Sequence, residues 1–173
     1  MDNIVIIVNG KPRSGKDSFS NFVANYCEDK GLDVDVWSTI DFEKELLEEI
    51  VHRQYNPDDE IDREFLSELK QLLNHYYNIT FRDFSNLLEF FDGIHIVHSR
   101  EWEEINTFKS YCKEKKIKCI TVFVESNRQQ EFNNYSDKFC DENKKFYDVI
   151  IENNEGLKEL EENAKQFCES RLF

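Results

Sequence analysis

Short apolar runs alternate along this chain with longer segments in which apolar residues recur at helical spacing. Runs rich in Ile, Val and aromatic residues are typical of strands, and the continuous apolar run at residues 4–8 suits a strand buried on both faces of a sheet. They lie at residues 4–8, 34–37, 94–97, 118–124 and 147–151. Because strands that alternate with helices form parallel sheets with right-handed crossovers, the pattern predicts a five-stranded parallel sheet between layers of helices.

The helical segments complete this arrangement. They are predicted at residues 18–27, 41–51, 59–73, 84–91, 102–111 and 155–167. Asp58 or Asp59 stands where the cap of the third helix is expected, because a short acidic side chain accepts hydrogen bonds from the first free N–H groups. Three of these helices fall between the second and third strands, which is long for a simple crossover.

A glycine-rich loop joins the first predicted strand to the first helix. Residues 10–17 read G-x-x-x-x-G-K-D, and Ser18 follows. Glycines let successive N–H groups turn inward around an anion, the helix dipole adds positive potential, and the lysine reaches the β- and γ-phosphates. We interpret the loop as a phosphate-binding loop (P-loop) for ATP. Its expected binding residues are Gly10, Lys11, Arg13, Ser14, Gly15, Lys16, Asp17 and Ser18.

The position of this loop, between the first predicted strand and the first helix, indicates the fold class. We expect a three-layer α/β/α P-loop NTPase fold with sheet order 2-3-1-4-5, in which the whole chain, 1–173, is one kinase-like domain. The helical insertion at about 40–92 is the expected acceptor-binding region. No metal-ligand spacing joins the His and Cys residues, and no serine-hydrolase pattern is present.

Composition and net charge argue against some classes of binding partner. The 173 residues include 15 Phe and 7 Tyr, which supply a core, and the net charge is −14. An acidic surface argues against nucleic acid or an anionic membrane as partner, but leaves small nucleotides open. The first residues lack a basic leader, no run suits a membrane span, and the five Cys are scattered, so we expect a cytoplasmic protein with reduced thiols.

Several segments bear a family resemblance. Residues 13–18, Arg-Ser-Gly-Lys-Asp-Ser, resemble the deoxynucleoside monophosphate kinases of phages and bacteria, and are also similar to animal-type phosphomevalonate kinases. Weaker similarities lie at residues 38–44, 62–70, 134–137 and 147–153. The resemblance implies transfer of the γ-phosphoryl group of ATP to a nucleoside monophosphate, with Mg²⁺ as cofactor.

On that interpretation, site residues fall into three groups. Lys16, Arg13 and Arg100 would be catalytic, because phosphoryl transfer depends on cations that neutralise phosphate charge. Asp17 and Ser18 would face the magnesium ion. The acceptor would be bound by Asp41, Lys44, Arg63, Lys70 and Arg100.

Alternatives remain open for several residues. Arg63 and Lys70 could instead form ion pairs on a solvated helix, and Asp41 could be a helix cap. His98 stands at the end of the third strand where the resembling family has Asp, and it is a poor magnesium ligand. Arg128 is a further candidate for a nucleotide contact. The rival functions are a kinase for another small phosphorylated acceptor and an ATP-binding regulatory module without efficient turnover.

Overall fold

The central feature of the molecule is a five-stranded parallel sheet. The computed structural model describes residues 3–56, 59–127 and 143–173. The strand order is β2-β3-β1-β4-β5, with helices on both sides of the sheet, which confirms the predicted fold class and order. The strands are β1 (Ile4–Asn9), β2 (Val34–Ser38), β3 (Ile94–His98), β4 (Lys118–Glu125) and β5 (Val149–Glu152).

Within the described ranges, six α-helices connect and flank these strands. They are α1 (Lys16–Asp29), α2 (Asp41–Val51), α3 (Glu60–Tyr77), α4 (Ile79–Phe90), α5 (Trp102–Lys115) and α6 (Leu157–Arg171). A 3₁₀ turn spans Lys144–Phe146. None of the helices in the described part of the chain is long and apolar enough to cross a membrane.

Several boundaries differ from the sequence prediction by two to five residues, and two of them have a clear local reason. Helix α4 begins at Ile79, five residues before the predicted start, because Asn78 takes a left-handed conformation that ends α3 and allows a new helix at once. Strand β5 begins at Val149, two residues late, because the N–H of Tyr147 closes a turn onto the carbonyl of Lys144.

The core lies where β1 meets its neighbours. Every residue of β1 is buried, since β3 and β4 pair with it on either side and helices cover both faces. On one face α1 and α6 pack together, and the rings of Phe19 and Phe167 meet edge to face with centroids 5.6 Å apart. Burial on both faces explains why β1 reads as a continuous apolar run.

The chain divides into two compact units. The first comprises Met1–Trp37 with Phe91–Phe173 and contains the phosphate-binding loop; the second is Ser38–Phe90 and contains α2, α3 and α4. Within the second unit, the Asp59 carboxylate accepts the N–H of Ile61 at 2.9 Å and caps α3, as the sequence predicted. The acceptor-binding role expected for this segment stays a prediction.

Four of the five cysteines lie in the described ranges, and all four are free thiols. Cys27 on α1 forms a hydrogen bond with Cys168 on α6, and this bond together with burial raises the pKa of the Cys168 thiol. Cys112 on α5 and Cys119 on β4 are similarly paired. The scattered spacing of the cysteines did not predict these two pairs, because each pair depends on how helices pack against each other or against the sheet.

Candidate phosphate-binding site

Two glycines shape the loop between β1 and α1. A Cβ on Gly10 would lie 2.5 Å from both the Ser14 hydroxyl and the Val124 carbonyl oxygen, so only glycine fits between the loop and the end of β4. Gly15 has φ +96, a left-handed conformation that a side chain would strain. A Cβ there would also collide with the Asn153 amide. Close approach therefore requires glycine at position 10, and close approach together with the left-handed conformation requires it at position 15.

A buried side-chain network holds the start of the loop. Asn9, the last residue of β1, accepts the N–H of Gly10 through Oδ1 at 2.7 Å. Its Nδ2 donates to the Tyr147 hydroxyl at 2.6 Å and to the Arg100 carbonyl at 3.3 Å. Sequence reasoning missed Asn9 and Tyr147. The only signal was a polar residue placed directly after a buried strand.

The N-terminus of α1 is suited to an anion. The helix begins at Lys16, and its N-cap, Gly15, provides no side-chain hydrogen bond to the first turn. Free N–H groups at a helix start attract anions. Ser14 is fully buried, and within the described ranges its hydroxyl has no hydrogen-bond partner. A buried hydroxyl without a partner is costly, so a bound phosphate oxygen would satisfy it.

The loop lysine lies in a chain of charged and polar groups. Lys16 Nζ contacts Asp17 Oδ1 at 2.5 Å, and the same oxygen lies 3.3 Å from His98 Nδ1. His98 Nε2 is 2.7 Å from the buried Ser20 hydroxyl. Donation from Nδ1 to the carboxylate leaves Nε2 of a neutral imidazole to accept from Ser20. Asp17 is therefore held between two donors.

These neighbours set the charge of Asp17. Partial desolvation by the surrounding protein raises the pKa of this largely exposed carboxyl, but the Lys16 ammonium with its hydrogen bond, and then His98 and Arg100, outweigh that effect, so the net pKa lies below 3.8. Asp17 is ionised at neutral pH and neutralises Lys16. A phosphate that binds Lys16 must therefore compete with Asp17.

The donor set at this helix start fits a magnesium ion. Asp17 supplies a carboxylate whose side chain is 72% exposed, and Ser18 follows with a hydroxyl. Magnesium binds oxygen ligands and often takes only one or two carboxylates, with phosphates and water completing its shell. Among the residues that the structure describes, no group of three or more His, Cys, Asp or Glu could bind a metal alone. The ion would therefore depend on the nucleotide for further ligands.

The other predicted loop cations take different positions. Lys11 is buried, whereas Arg13 is exposed and has a left-handed φ of +62. Arg100 follows β3, and its charge helps to lower the pKa of Asp17. The structure thus brings Arg100 to the same site as Lys16 and Asp17.

Four of the five predicted acceptor residues lie in the second unit, and the fifth, Arg100, lies in the first. Asp41 Oδ1 accepts from Lys44 Nζ at 2.7 Å, and Asp41 Oδ2 accepts the N–H of Ser38 at 2.8 Å. Lys70 is buried, and its Nζ donates to the Thr39 hydroxyl at 3.0 Å. Arg63 is half-buried in the first turns of α3. Lys70 is therefore not the solvated helix residue that the ion-pair alternative described.

Four sequence features lie outside the described residues. They are the other candidate helix cap Asp58, Arg128, the polar segment at 134–137 and the fifth cysteine, Cys140.

Comparison with known proteins was made by sequence and by structure. No family model matches the chain, and no curated protein matches its sequence. The APS kinase CysC of Mycobacterium tuberculosis, in complex with AMPPNP and APS, is 14% identical with a TM-score of 0.50, over 97% of this chain and 98% of that one.

Two further solved structures match over nearly their full length. A Chloroflexus aurantiacus protein that carries the provisional designation of kinase is 10% identical, with a TM-score of 0.55 and 98% of both chains covered. TT1252 from Thermus thermophilus is 14% identical, with a TM-score of 0.51 and 99% of both chains covered. At these identities the likeness concerns the fold. The chain has the three-layer fold of P-loop kinases.

Proposed function

We propose that this protein is an ATP-dependent phosphotransferase whose acceptor is a nucleoside monophosphate, specifically a deoxynucleotide. The observation that carries the proposal is the start of α1. There an uncapped helix N-terminus adjoins Lys16 and a fully buried Ser14 hydroxyl without a hydrogen-bond partner in the described ranges. Such a site suits a phosphate group.

Catalysis at this site would consist of positioning and charge neutralisation. Lys16 would exchange Asp17 for the β- and γ-phosphates, and Arg100 and Arg13 would add positive charge around the transferred group. A magnesium ion bound by Asp17 and Ser18 would neutralise further phosphate charge. Because Asp17 also contacts His98, it keeps a donor when Lys16 turns to the phosphate.

The acceptor assignment rests on the second unit and on the resemblance of residues 62–70 to the monophosphate kinases. Arg63 is the leading candidate for the acceptor phosphate, because a guanidinium can bind phosphate with two parallel hydrogen bonds. Lys70, which is buried against Thr39, would support the segment rather than contact the acceptor. Asp41 and Lys44 form an ion pair that would orient the start of α2.

The test is turnover with a panel of acceptors. The protein is mixed with ATP and Mg²⁺, and ADP release is measured with each deoxynucleoside and ribonucleoside monophosphate and with phosphorylated alcohols. We expect ADP release that depends on one deoxynucleotide. Lys16→Ala should lower the rate by about 10²-fold or more, as loss of a transition-state donor does. Lys165→Ala, an exposed lysine on α6, is the matched control and should leave the rate unchanged.

A second candidate function is a nucleotide-binding module without turnover. The observation that favours it is the pairing of Lys16 with Asp17, next to a β3 that ends in His98. ATP binding that is lost in Lys16→Ala, with no turnover for any acceptor, would select this candidate. A turnover confined to phosphorylated alcohols would select a different acceptor class. Absence of ATP and GTP binding would reject all three.

A further inference from the structure

Asn153 is anchored at the phosphate-binding loop although it lies far from it in sequence. It directly follows β5, and its side-chain Nδ2 donates to the Ser14 carbonyl at 2.9 Å. Its own N–H donates to the Glu125 carbonyl at 2.8 Å, and its carbonyl accepts the Ser126 hydroxyl at 2.7 Å. Asn153 therefore joins the end of β4, the end of β5 and the loop.

The bond to the Ser14 carbonyl determines how the next peptide N–H points. In a trans peptide the C=O and N–H groups face opposite directions, and no cis peptide occurs in the described residues. When Asn153 holds the Ser14 oxygen, the N–H of Gly15 turns to the side away from Asn153. A glycine peptide rotates easily without such a partner, because φ of either sign is accessible.

We propose that Asn153 is a positioning residue, which fixes the Ser14–Gly15 peptide so that the Gly15 N–H faces the bound phosphate. The inference rests on the proposed phosphate binding at the loop. Asn153 acts through the loop backbone and has no contact with substrate in this role. The position of the Asn153 amide also requires glycine at position 15, because a side chain there would collide with the amide.

The experiment compares two probes that share phosphates but differ in the base. Dissociation constants for ATP and for inorganic tripolyphosphate are measured in the same buffer by calorimetry. Asn153→Ala removes the donor, and Asn153→Asp turns it into a negative acceptor facing the Ser14 oxygen. We expect each variant to weaken both probes by the same factor, about 10-fold for Asn153→Ala and more for Asn153→Asp.

Asn154→Asp is the matched control. It introduces the same charge one residue further along, and a carboxylate oxygen can still accept the N–H of Asn127, which Asn154 Oδ1 accepts at 3.0 Å in the native protein. The exposed bond from Asn154 Nδ2 to Glu152, at 3.4 Å, is lost. The effect of Asn154→Asp therefore combines long-range repulsion with the loss of an exposed bond, and it should still be well below that of Asn153→Asp. Equal weakening by the two Asp variants, together with native affinity in Asn153→Ala, would overturn the proposal.

A measurement on the wild-type protein tests the proposal even if the variants fail to fold. The chain has five glycines, so glycine-selective ¹⁵N labelling yields a simple amide spectrum. Saturating tripolyphosphate should shift the Gly15 N–H signal strongly. The Gly10 N–H, already bonded to Asn9, should shift less. An unmoved Gly15 signal at saturation would overturn the proposal.

The remaining outcomes separate this inference from the proposed function. Weaker ATP binding with native tripolyphosphate binding would mean that Asn153 contacts the base or sugar, which contradicts the positioning role. Wild-type protein that binds neither probe would reject the proposed function and the inference with it. Native binding of both probes by Asn153→Ala would reject the inference alone.

Discussion

At the residue scale, the conformation of the phosphate-binding loop depends on side chains outside the motif. Asn9 bonds the Gly10 N–H, and Asn153 bonds the Ser14 carbonyl. A loop that offers its N–H groups to an anion leaves its carbonyls to find donors elsewhere. The motif supplies the groups that we propose to bind phosphate, and these neighbours bond the peptides that carry them.

Tyr147→Phe tests the network at the loop entrance. The change keeps the ring, whose centroid lies 5.3 Å from those of Trp102 and Phe123, but removes the hydroxyl that accepts from Asn9. Loss of one buried hydrogen bond should lower the free energy of unfolding by about 1 kcal/mol. Urea denaturation followed by tryptophan fluorescence measures it.

Tyr26→Phe is the control for that change. Tyr26 donates to Glu169 at 3.0 Å at the surface, where water replaces the lost bond. Its unfolding free energy should stay within a few tenths of a kcal/mol of the wild type. Equal changes in the free energy of unfolding would show that the Asn9–Tyr147 bond stabilises the protein no more than an exposed hydrogen bond does.

His95 should make stability depend on pH. The residue is 1% exposed in β3, and burial lowers its pKa below 6.5, although Asp35, the Phe91 backbone and Asp92 partly oppose this. The unfolded chain therefore binds a proton that the folded protein does not. The contribution of the neutral His95 to the free energy of unfolding is fully present above pH 6.5. It falls, by at most about 1.4 kcal/mol per pH unit, as the pH drops from 6.5 toward the lowered pKa.

The difference in unfolding free energy between wild type and His95→Leu measures this contribution from pH 8 to pH 5. We expect the wild type to lose stability relative to the variant below pH 6.5. His75→Gln, at an exposed position on α3, should leave the wild-type pH profile unchanged. A His95→Leu difference that stays constant across the range would contradict the prediction.

At the element scale, the described helix starts differ in capping. Helix α3 is capped by Asp59, whereas α1, α2, α5 and α6 have no side-chain cap in the described chain. A side-chain cap satisfies the first N–H groups of a helix. Because most of these helix starts lack one, the glycine loop and Lys16, and not the missing cap, distinguish the start of α1.

Asp59→Ala should destabilise the protein by about 1 kcal/mol, the usual effect of losing an N-cap. Asp59→Ser keeps a capping oxygen but loses the charge that contacts Arg53 at 3.4 Å, so most of the stability should return. Urea denaturation of both variants measures the difference. Equal destabilisation by Ala and Ser would assign the effect to the ion pair instead of the cap.

At the whole-molecule scale, the net charge of −14 is compatible with a local phosphate site. Screening limits each charge to about 10 Å at 0.1 M salt, so the potential at the loop depends on the nearest charges, among them Lys16, Asp17 and Arg100. A long polyanion would instead meet the acidic surface as a whole. We therefore expect small phosphate ligands to be favoured over nucleic acid.

The protein should not bind duplex DNA at physiological salt. Fluorescence anisotropy of a labelled duplex, titrated with protein in 150 mM salt, should give no binding up to about 10⁻⁴ M, the weak end of ordinary non-specific affinity. The same protein sample is checked for ATP binding, so that inactive material is recognised. A DNA affinity of about 10⁻⁶ M would contradict the argument from charge.

The elements and the loop followed from local pattern. Apolar runs predicted the strands because residues buried on both faces must all be apolar, and β1 shows this in full. The loop was visible because its glycines and Lys16 are adjacent in sequence. The sheet order agreed with the prediction because few topologies suit strands that alternate with helices around such a loop.

The side chains that hold the loop could be identified only from the tertiary structure. Asn9 meets Tyr147 across 138 positions, and Ser14 meets Asn153 across 139. Asn153 reaches the loop because parallel strands bring their carboxyl ends to one edge of the sheet. Tyr147 precedes β5, and its hydroxyl reaches Asn9 from the turn before that strand. No local pattern marks such contacts. The sequence by itself determined that the chain is a P-loop α/β protein with a loop lysine. Only the folded chain decided that Asp17 lies between Lys16 and His98 and which distant side chains bond the loop, because these contacts join segments that are far apart in sequence.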